Sequence, residues 1–85
     1  MHQKVVVIGY GISGQAADRL LKSQGYEVIA VDKKPSLGVF PDSTELSLEG
    51  VSKVILSPGI PQSHPLVQKA IAAEIEVVGE MAALS

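Results

Sequence analysis

The chain has 85 residues and a formal net charge of −2, and 46% of its residues are hydrophobic but only 4% are aromatic. This length makes one domain, and the charge gives no support to nucleic-acid binding, which requires a basic surface. The chain has no cysteine, so disulfides and cysteine-based metal sites are not expected. It has no apolar run of the ~20 residues that cross a membrane, so membrane insertion is not expected either. We expect a cytoplasmic location.

A βαβ unit is predicted in the first part of the chain. Residues 5–8 form a continuous aliphatic run that is typical of a buried strand, and residues 12–24 carry apolar side chains at helical spacing. Gly25 is expected to end this helix in the left-handed conformation, and residues 27–31 form a second strand that ends in Asp32. The buried stripe of the helix is predicted to comprise Ile12, Ala16, Ala17, Leu20 and Leu21.

The middle of the chain is less regular. Residues 33–48 are predicted to be mostly loop, in which residues 44–48 alternate like a short edge strand. Residues 51–56 form another apolar strand. The segment Ser57-Pro58-Gly59-Ile60-Pro61 follows, and its two prolines and one glycine predict a rigid loop.

A second helix is predicted to begin at Pro65, with Ser63 or His64 as its N-cap, and residues 75–78 form the last strand. The buried face of the second helix is predicted to comprise Leu66, Val67, Ala70, Ile71 and Ala73. The alternation predicts a single Rossmann-like α/β domain over residues 1–85, doubly wound, with a mainly parallel sheet of about four or five strands and helices on both faces. Ligands of such sheets bind at the carboxyl ends of the strands.

The pattern Gly9-x-Gly11-x-x-Gly14 joins the first strand to the first helix. In a nucleotide-binding turn the first glycine permits the tight turn, the second lets the backbone approach a phosphate, and the third lets helix and strand pack closely. Backbone N–H groups and the helix N-terminus then form an anion site for a phosphate or diphosphate. A tight strand–helix turn without a ligand is the alternative.

Polar residues close to this turn are candidates for nucleotide contacts. Asp32 lies eighteen residues after Gly14, at the end of the second strand. In a dinucleotide site a carboxylate at this place accepts hydrogen bonds from the ribose hydroxyls. The alternative is that Asp32 is only a solvated loop residue. Lys33 and Lys34 follow. They either tolerate extra negative charge on the ligand, or stack and hydrogen-bond along a base, or form a solvated pair. Ser13 either adds a hydrogen bond to a phosphate or caps the helix.

The segment Ser57-Pro58-Gly59 ends a strand on the same sheet edge as the glycine turn, so two loops are expected to face one crevice. An ordinary proline–glycine turn is the alternative. His64 is expected to be a loop or capping residue rather than a base or ligand. The chain has no GxxxxGK[ST] phosphate loop, no acid–histidine metal pattern and no Ser/His/Asp arrangement, so catalysis by this chain alone is not expected.

Together these motifs resemble the N-terminal domain of the bacterial Mur ligases, in particular of the branch that adds D-glutamate. The resemblance covers roughly two-thirds of the chain and leaves residues 33–50 without a clear match. The matching segments are residues 5–14, Val31-Asp32, residues 56–61, His64-Pro65 and Val78-Gly79-Glu80.

This resemblance implies a Rossmann-like domain that holds the UDP part of UDP-N-acetylmuramoyl-L-alanine and does not use NAD. The implied contacts come from Ile12 and Ser13 at the uracil and diphosphate side, from Asp32, Lys33 and Lys34 at the uridine, and from Ser57, Pro58 and Gly59 at the diphosphate or sugar.

The whole ligase that the resemblance implies uses ATP and Mg²⁺ to convert the substrate carboxylate to an acyl phosphate, which the amine of D-glutamate attacks. Those steps belong to central and C-terminal domains outside this sequence, so no cofactor is expected in this chain. After Gly79-Glu80 the family usually has an acidic residue, which Met81-Ala82-Ala83-Leu84 lacks. We therefore expect a truncated or edited domain.

Two other hypotheses stay open from the sequence. An NAD(P)-binding domain of an oxidoreductase or regulatory module is compatible with Asp32, but it does not explain the Pro58-Gly59-Ile60-Pro61 loop. A scaffold or excised folding unit without ligand affinity is the other. A domain separated from its neighbours exposes the faces that met them, and we therefore expect weak self-association.

Overall fold

The structure is a computed structural model that describes residues 3–36 and 38–79, without the side chain of Ser13. The predicted family features at Glu80 and at Met81 to Leu84 lie outside the described residues. Five strands and two helices lie within them. In chain order these are β1 (Lys4–Ile8), α1 (Ile12–Ser23), β2 (Glu27–Asp32), β3 (Val39–Pro41), β4 (Val51–Leu56), α2 (Pro65–Ala72) and β5 (Glu76–Gly79).

The five strands form one parallel sheet in the order β3-β2-β1-β4-β5. Ile8 at the end of β1 pairs with Val31 of β2 and with Leu56 of β4, so these three strands end at the same level of the sheet. The strand order reverses between β1 and β4, and the crevice at such a reversal is where ligands bind in open α/β sheets. The predicted Rossmann-like α/β class is confirmed.

The two helices cover opposite faces of the sheet, because side chains alternate along each strand. On one face Val6 and Ile8 of β1 pack in a core cluster with Leu66 of α2, and on the other Val5 and Val7 pack with Leu21 of α1. Both clusters consist of aliphatic side chains that are at most 8% exposed. Neither helix, nor any other among the described residues, is long and apolar enough to span a membrane.

The predicted strand at residues 44–48 is wrong, because this segment is a turn held from α2. Lys69 of α2 donates its ammonium to the carbonyl oxygens of Thr44 at 2.7 Å and Leu46 at 2.5 Å. Those carbonyls are therefore turned away from any sheet ladder. The third strand is instead β3, which pairs with the end of β2. The alternating pattern arises because Leu48 is buried and Leu46 packs against the same core.

The ends of both helices follow the sequence signals. Gly25, with φ of +91°, follows the last turn of α1 in the left-handed conformation, as predicted. His64 is the N-cap of α2, and its Nδ1 accepts the N–H of Leu66 at 3.1 Å, with Pro65 in the first turn. The prediction that His64 is a capping residue is therefore confirmed, and Ser63 is not the cap.

The sequence predicted more buried residues on each helix than the structure shows. In α1 only Ala17 and Leu21 of the predicted stripe are buried, and in α2 only Leu66, Val67 and Ala70 are. The exposed members are Ile12, Ala16, Leu20, Ile71 and Ala73. Each helix contacts the sheet through a narrow stripe of side chains, so apolar residues beside that stripe are exposed to solvent. Ile12, at 88% exposure, is the extreme case because it is the first residue of α1.

Candidate functional site

Gly9 begins the turn after β1 and is fixed from both neighbouring strands. Its N–H donates to the carbonyl of Val31 at 2.9 Å, and its own carbonyl accepts the hydroxyl of Ser57 at 2.6 Å. Its φ is +92°, and a Cβ at this position would lie 3.0 Å from Cβ of Ser57 and 3.1 Å from Cγ1 of Ile60. Only glycine meets both the backbone and the space requirement.

Gly14 and Gly11 meet different requirements. A Cβ at Gly14 would lie 2.1 Å from the carbonyl oxygen of Gly9, so the third glycine permits the close packing of α1 on the turn. A Cβ at Gly11 would meet nothing within 4 Å, so this position faces open space. Gly11 is also the N-cap of α1, which has no side-chain cap. Ser13 lies inside the helix, and the alternative that it caps α1 is therefore wrong.

A cleft of about 280 Å³ lies between the N-terminus of α1 and the loop after β4. It is lined by Gly9, Gly11, Ile12, Gly14, Ser57, Pro58 and Ile60. The structure thus brings the glycine turn and the proline–glycine loop to one crevice, as the sequence predicted. The first N–H groups of a helix have no intrahelical acceptor, so this cleft meets the positive end of the α1 dipole.

A second cleft of about 420 Å³ shares Gly9 and Ile60 with the first. It is lined by Gly9, Asp32, Lys33, Asp42, Gly59, Ile60, Pro61, Ser63, His64 and Pro65. Lys34 lines neither cleft. The predicted site residues are therefore divided between the clefts. Asp32, Lys33 and Gly59 line the second cleft, Gly9 lines both, and the first cleft is lined by Gly11, Ile12, Gly14, Ser57 and Pro58.

Asp32 joins the glycine turn to the end of β2. Its Oδ2 accepts the N–H of Tyr10 at 2.6 Å, and its Oδ1 accepts the N–H of Lys34 at 3.0 Å. Hydrogen bonds from Lys34 and then from Tyr10 lower the pKa of this carboxyl below its ordinary value of 3.8. Asp32 is therefore an ionised acceptor at neutral pH, and it already holds the backbone of the turn.

Tyr10 also contacts a second carboxylate, which the sequence reading missed. Its hydroxyl donates to Oδ2 of Asp18 at 2.5 Å, and Nζ of Lys22 lies 3.0 Å from Oδ1 of the same residue. Asp18 is only 4% exposed, and its hydrogen bond raises the pKa of the Tyr10 phenol. The four-residue spacing of Asp18 and Lys22 was the available sequence signal.

A His64–Asp42 pair closes the far side of the second cleft. Nε2 of His64 lies 2.9 Å from Oδ2 of Asp42. The side chains are 15% and 25% exposed. Asp42 lies in a segment without a motif and was not predicted. Across residues 3–36 and 38–79, no group of three or more His, Cys, Asp or Glu side chains is arranged to hold a metal ion.

These features define the class of the protein. A parallel sheet that reverses its strand order beside a glycine turn, with an uncapped helix N-terminus above the turn, is a Rossmann-like α/β domain. A family model described as "Mur ligase MurD-like, N-terminal domain" matches residues 3–79. The chain belongs to this family, and the resemblance predicted from its motifs is confirmed.

Curated relatives agree with the family model. The chain is 46% identical over 78 residues to the UDP-N-acetylmuramoylalanine–D-glutamate ligase of Aquifex aeolicus (strain VF5), which covers 92% of this chain and 18% of the ligase. It is 40% identical over 86 residues to the ligase of the same name from Chlamydia trachomatis serovar L2, covering 93% of this chain and 21% of the ligase. The chain therefore spans about a fifth of the length of these relatives.

One solved structure supports the fold. A crystal structure of an uncharacterized protein superimposes with a TM-score of 0.62 and 22% sequence identity, and the match covers 99% of this chain and 95% of the other. At this identity the similarity shows the fold alone.

The close packing at Gly14 gives a stability prediction. Gly14→Ala should lower the free energy of unfolding by at least about 2 kcal/mol, because its Cβ would overlap the Gly9 carbonyl. Gly11→Ala is the matched control and should stay within about 1 kcal/mol of the wild type, because open space surrounds it. Urea unfolding followed by circular dichroism measures both variants. Equal losses would contradict the packing role.

The lowered pKa of Asp32 predicts acid sensitivity. A folded-state pKa below the unfolded value gives stability that is present above about pH 4 and is lost as the pH falls through the folded pKa. Asp32→Asn lacks this titration, so its urea midpoint should fall less between about pH 5 and about pH 3 than that of the wild type. Glu49→Gln removes an exposed carboxylate and should follow the wild type. Parallel curves for Asp32→Asn and the wild type would contradict the prediction.

Proposed function

We propose that this domain binds the UDP moiety of UDP-N-acetylmuramoyl-L-alanine. The observation that carries the proposal is the pair of clefts that meet at Gly9 and Ile60, one at a helix N-terminus and the other beside an ionised carboxylate. The names of the curated relatives, which are ligases of UDP-N-acetylmuramoylalanine, support the choice of ligand. In this proposal the first cleft takes the diphosphate and the second takes the uridine.

The first cleft suits a diphosphate because its donors are backbone groups. The N-cap Gly11 leaves the N–H groups of the first helical turn without a side-chain acceptor, and it has no Cβ to keep an anion away. A helix N-terminus favours negative charge through its dipole and its unpaired N–H groups. The hydroxyl of Ser57 donates its hydrogen bond to the Gly9 carbonyl, so the role of Ser57 in the site is to hold the turn.

The second cleft suits a nucleoside in size and in chemistry. Its volume of about 420 Å³ lies in the range of small-molecule sites. Each oxygen of Asp32 has used one lone pair on a backbone N–H, and each keeps a second one for ribose hydroxyls. Lys33 lines the same cleft and supplies a cation beside the ligand.

In the parent protein that this proposal implies, the domain anchors the substrate of a peptidoglycan-building ligase in the cytoplasm. ATP, Mg²⁺ and D-glutamate would bind to the central and C-terminal domains of that ligase, where the amide bond forms. The present chain spans about a fifth of such a protein and would be inactive by itself. This role belongs to cell-wall biogenesis, and through it to cell shape and division.

Amide chemical shifts of the ¹⁵N-labelled chain test this proposal. UDP and UDP-N-acetylmuramoyl-L-alanine should shift the amides of Gly11 and Ser57 at the first cleft and that of Lys33 at the second. Gly11→Ala should weaken both effects, because its Cβ would face the bound phosphate. NAD serves as the competing ligand: shifts at these amides with NAD and none with the UDP compounds would favour a dinucleotide-binding domain and overturn the proposal.

Weak self-association is a separate prediction from the exposed apolar face of α1. Ile12, Ala16 and Leu20 follow one another at a spacing of four residues on this face, and all three are exposed. Sedimentation velocity should show an average mass that rises with protein concentration, and Leu20→Glu should reduce the rise. A wild-type chain that stays strictly monomeric at millimolar concentration would contradict the prediction.

A further inference from the structure

Tyr10, between the first two glycines of the turn, is held by its backbone and by its side chain. Its N–H donates to Oδ2 of Asp32 at 2.6 Å, and its hydroxyl donates to Oδ2 of Asp18 at 2.5 Å. Nε2 of Gln15 lies 3.5 Å from its carbonyl oxygen. Asp32 ends β2, whereas Gln15 and Asp18 belong to α1. Tyr10 therefore connects the turn to the neighbouring strand and to the helix that follows.

The N-terminus of α1 lacks a side-chain cap. Gly11 is the N-cap residue, and the first turn of the helix contains no acidic residue. Ser, Thr, Asp or Asn at this position commonly accepts an N–H group of the first turn and stabilises the helix. A cap of that kind would occupy an N–H group that an anion in the first cleft could otherwise use.

The hydrogen bond from Tyr10 to Asp18 restrains the same end of the helix without using those N–H groups. Tyr10 precedes the N-cap, and Asp18 lies in the second turn of α1. A contact between the residue before the N-cap and the helix fixes the angle at which the chain enters, as a hydrophobic staple does with two apolar side chains. Here the contact is polar, and the Asp18 side chain is only 6% exposed. The hydrogen bond to Asp18 raises the pKa of the Tyr10 phenol above its ordinary value of 10.0, so the hydroxyl is a donor at neutral pH.

The glycines of the turn make such a restraint necessary. Glycine has more backbone freedom than any other residue, and a turn that contains it must lose this freedom to bind a ligand in one geometry. Gly9 and Gly14 are fixed by their packing against each other, but a Cβ at Gly11 would meet nothing within 4 Å. Tyr10 is the neighbour of Gly11 whose side chain is anchored in the protein.

We propose that Tyr10 is a positioning residue of the first cleft, which through Asp18 holds the uncapped N-terminus of α1 ready for an anion and leaves the N–H groups of its first turn free. This inference rests on the proposed function, in which the first cleft takes a diphosphate. Tyr10 lines neither cleft, so it acts through the backbone of the turn and not by contact with the ligand. Its effect is to reduce the ordering that binding requires.

Amide titrations of the ¹⁵N-labelled 85-residue chain with pyrophosphate, UDP and uridine test the inference. Tyr10→Phe keeps the ring and the backbone N–H but removes the hydroxyl, so pyrophosphate and UDP should bind about threefold to tenfold more weakly than to the wild type. Uridine, which has no phosphate, should bind both proteins equally. Tyr26→Phe is the matched control and should keep the wild-type affinities, because Tyr26 packs against the core beside α1 and lines neither cleft.

Two further variants separate positioning from folding. Tyr10→Phe leaves a buried carboxylate without its hydroxyl donor and should also lower the urea midpoint. Asp18→Asn keeps an oxygen that accepts the hydroxyl, so it should bind pyrophosphate at least as tightly as the wild type. Tyr10→Phe/Asp18→Ala has the same net charge as Asp18→Asn but no staple. It should have a higher urea midpoint than Tyr10→Phe, yet bind pyrophosphate about threefold to tenfold more weakly than Asp18→Asn.

The possible outcomes are distinct. An unchanged pyrophosphate affinity in Tyr10→Phe, or an affinity that recovers with the urea midpoint in the double variant, would overturn the inference, because Tyr10 would then serve stability alone. An equal loss of uridine affinity would overturn it as well, since the effect would not be specific to the first cleft. A wild type that binds neither pyrophosphate nor UDP overturns the proposed function itself.

Discussion

The candidate site depends on one contact, the packing of Gly14 against the carbonyl group of Gly9. Because Gly14 has no side chain, α1 begins directly above the end of β1, and a Cβ there would come within 2.1 Å of that carbonyl oxygen. The same oxygen accepts the hydroxyl of Ser57 at 2.6 Å. Three segments of the chain therefore meet at one carbonyl group, and their meeting fixes the helix N-terminus relative to the loop after β4.

Charged side chains around this contact hold the backbone of the glycine turn through hydrogen bonds within the protein. Asp32 accepts two backbone N–H groups, and Tyr10 connects it to the buried Asp18 on the opposite side of the turn. Asp18 is neutralised in turn by Lys22 at 3.0 Å. The Lys22 side chain is 59% exposed, so solvent screens this pair, whereas the carboxylate of Asp18 is buried and takes the Tyr10 hydroxyl as its hydrogen-bond donor. The hydrogen bonds of Asp32 and Asp18 therefore hold Tyr10 at both its backbone and its side chain. A loop held in this way needs little ordering when a ligand binds, which lowers the entropic cost of binding.

The sequence predicted the features that depend on neighbours along the chain and missed those that depend on distant ones. Aliphatic runs, the glycine spacing and the His64 cap are local signals, and each identified its element. The turn at residues 44–48 resembled a strand because its two leucines, which pack in the core, alternate with polar residues. The hydrogen bonds that make it a turn come from Lys69, far along the chain. Asp42 carried no motif, since its place in the second cleft arises from its contact with His64. Ile12 has the correct helical spacing, but it is the first residue of α1 and its side chain is 88% exposed.

The two clefts differ in what they can discriminate. Backbone N–H groups at a helix N-terminus bind any phosphate in the same way, so the glycine turn, shared with many nucleotide-binding folds, cannot choose among nucleotides. In the proposed function, selection would come from side chains in the second cleft, which Asp32, Lys33 and Asp42 line. On the proposed function this cleft is far from the carboxylate that reacts, and binding a remote part of a substrate is how an enzyme positions the reacting part. In that proposal the domain would supply substrate choice and anchoring, and the chemistry would depend on other domains of the ligase.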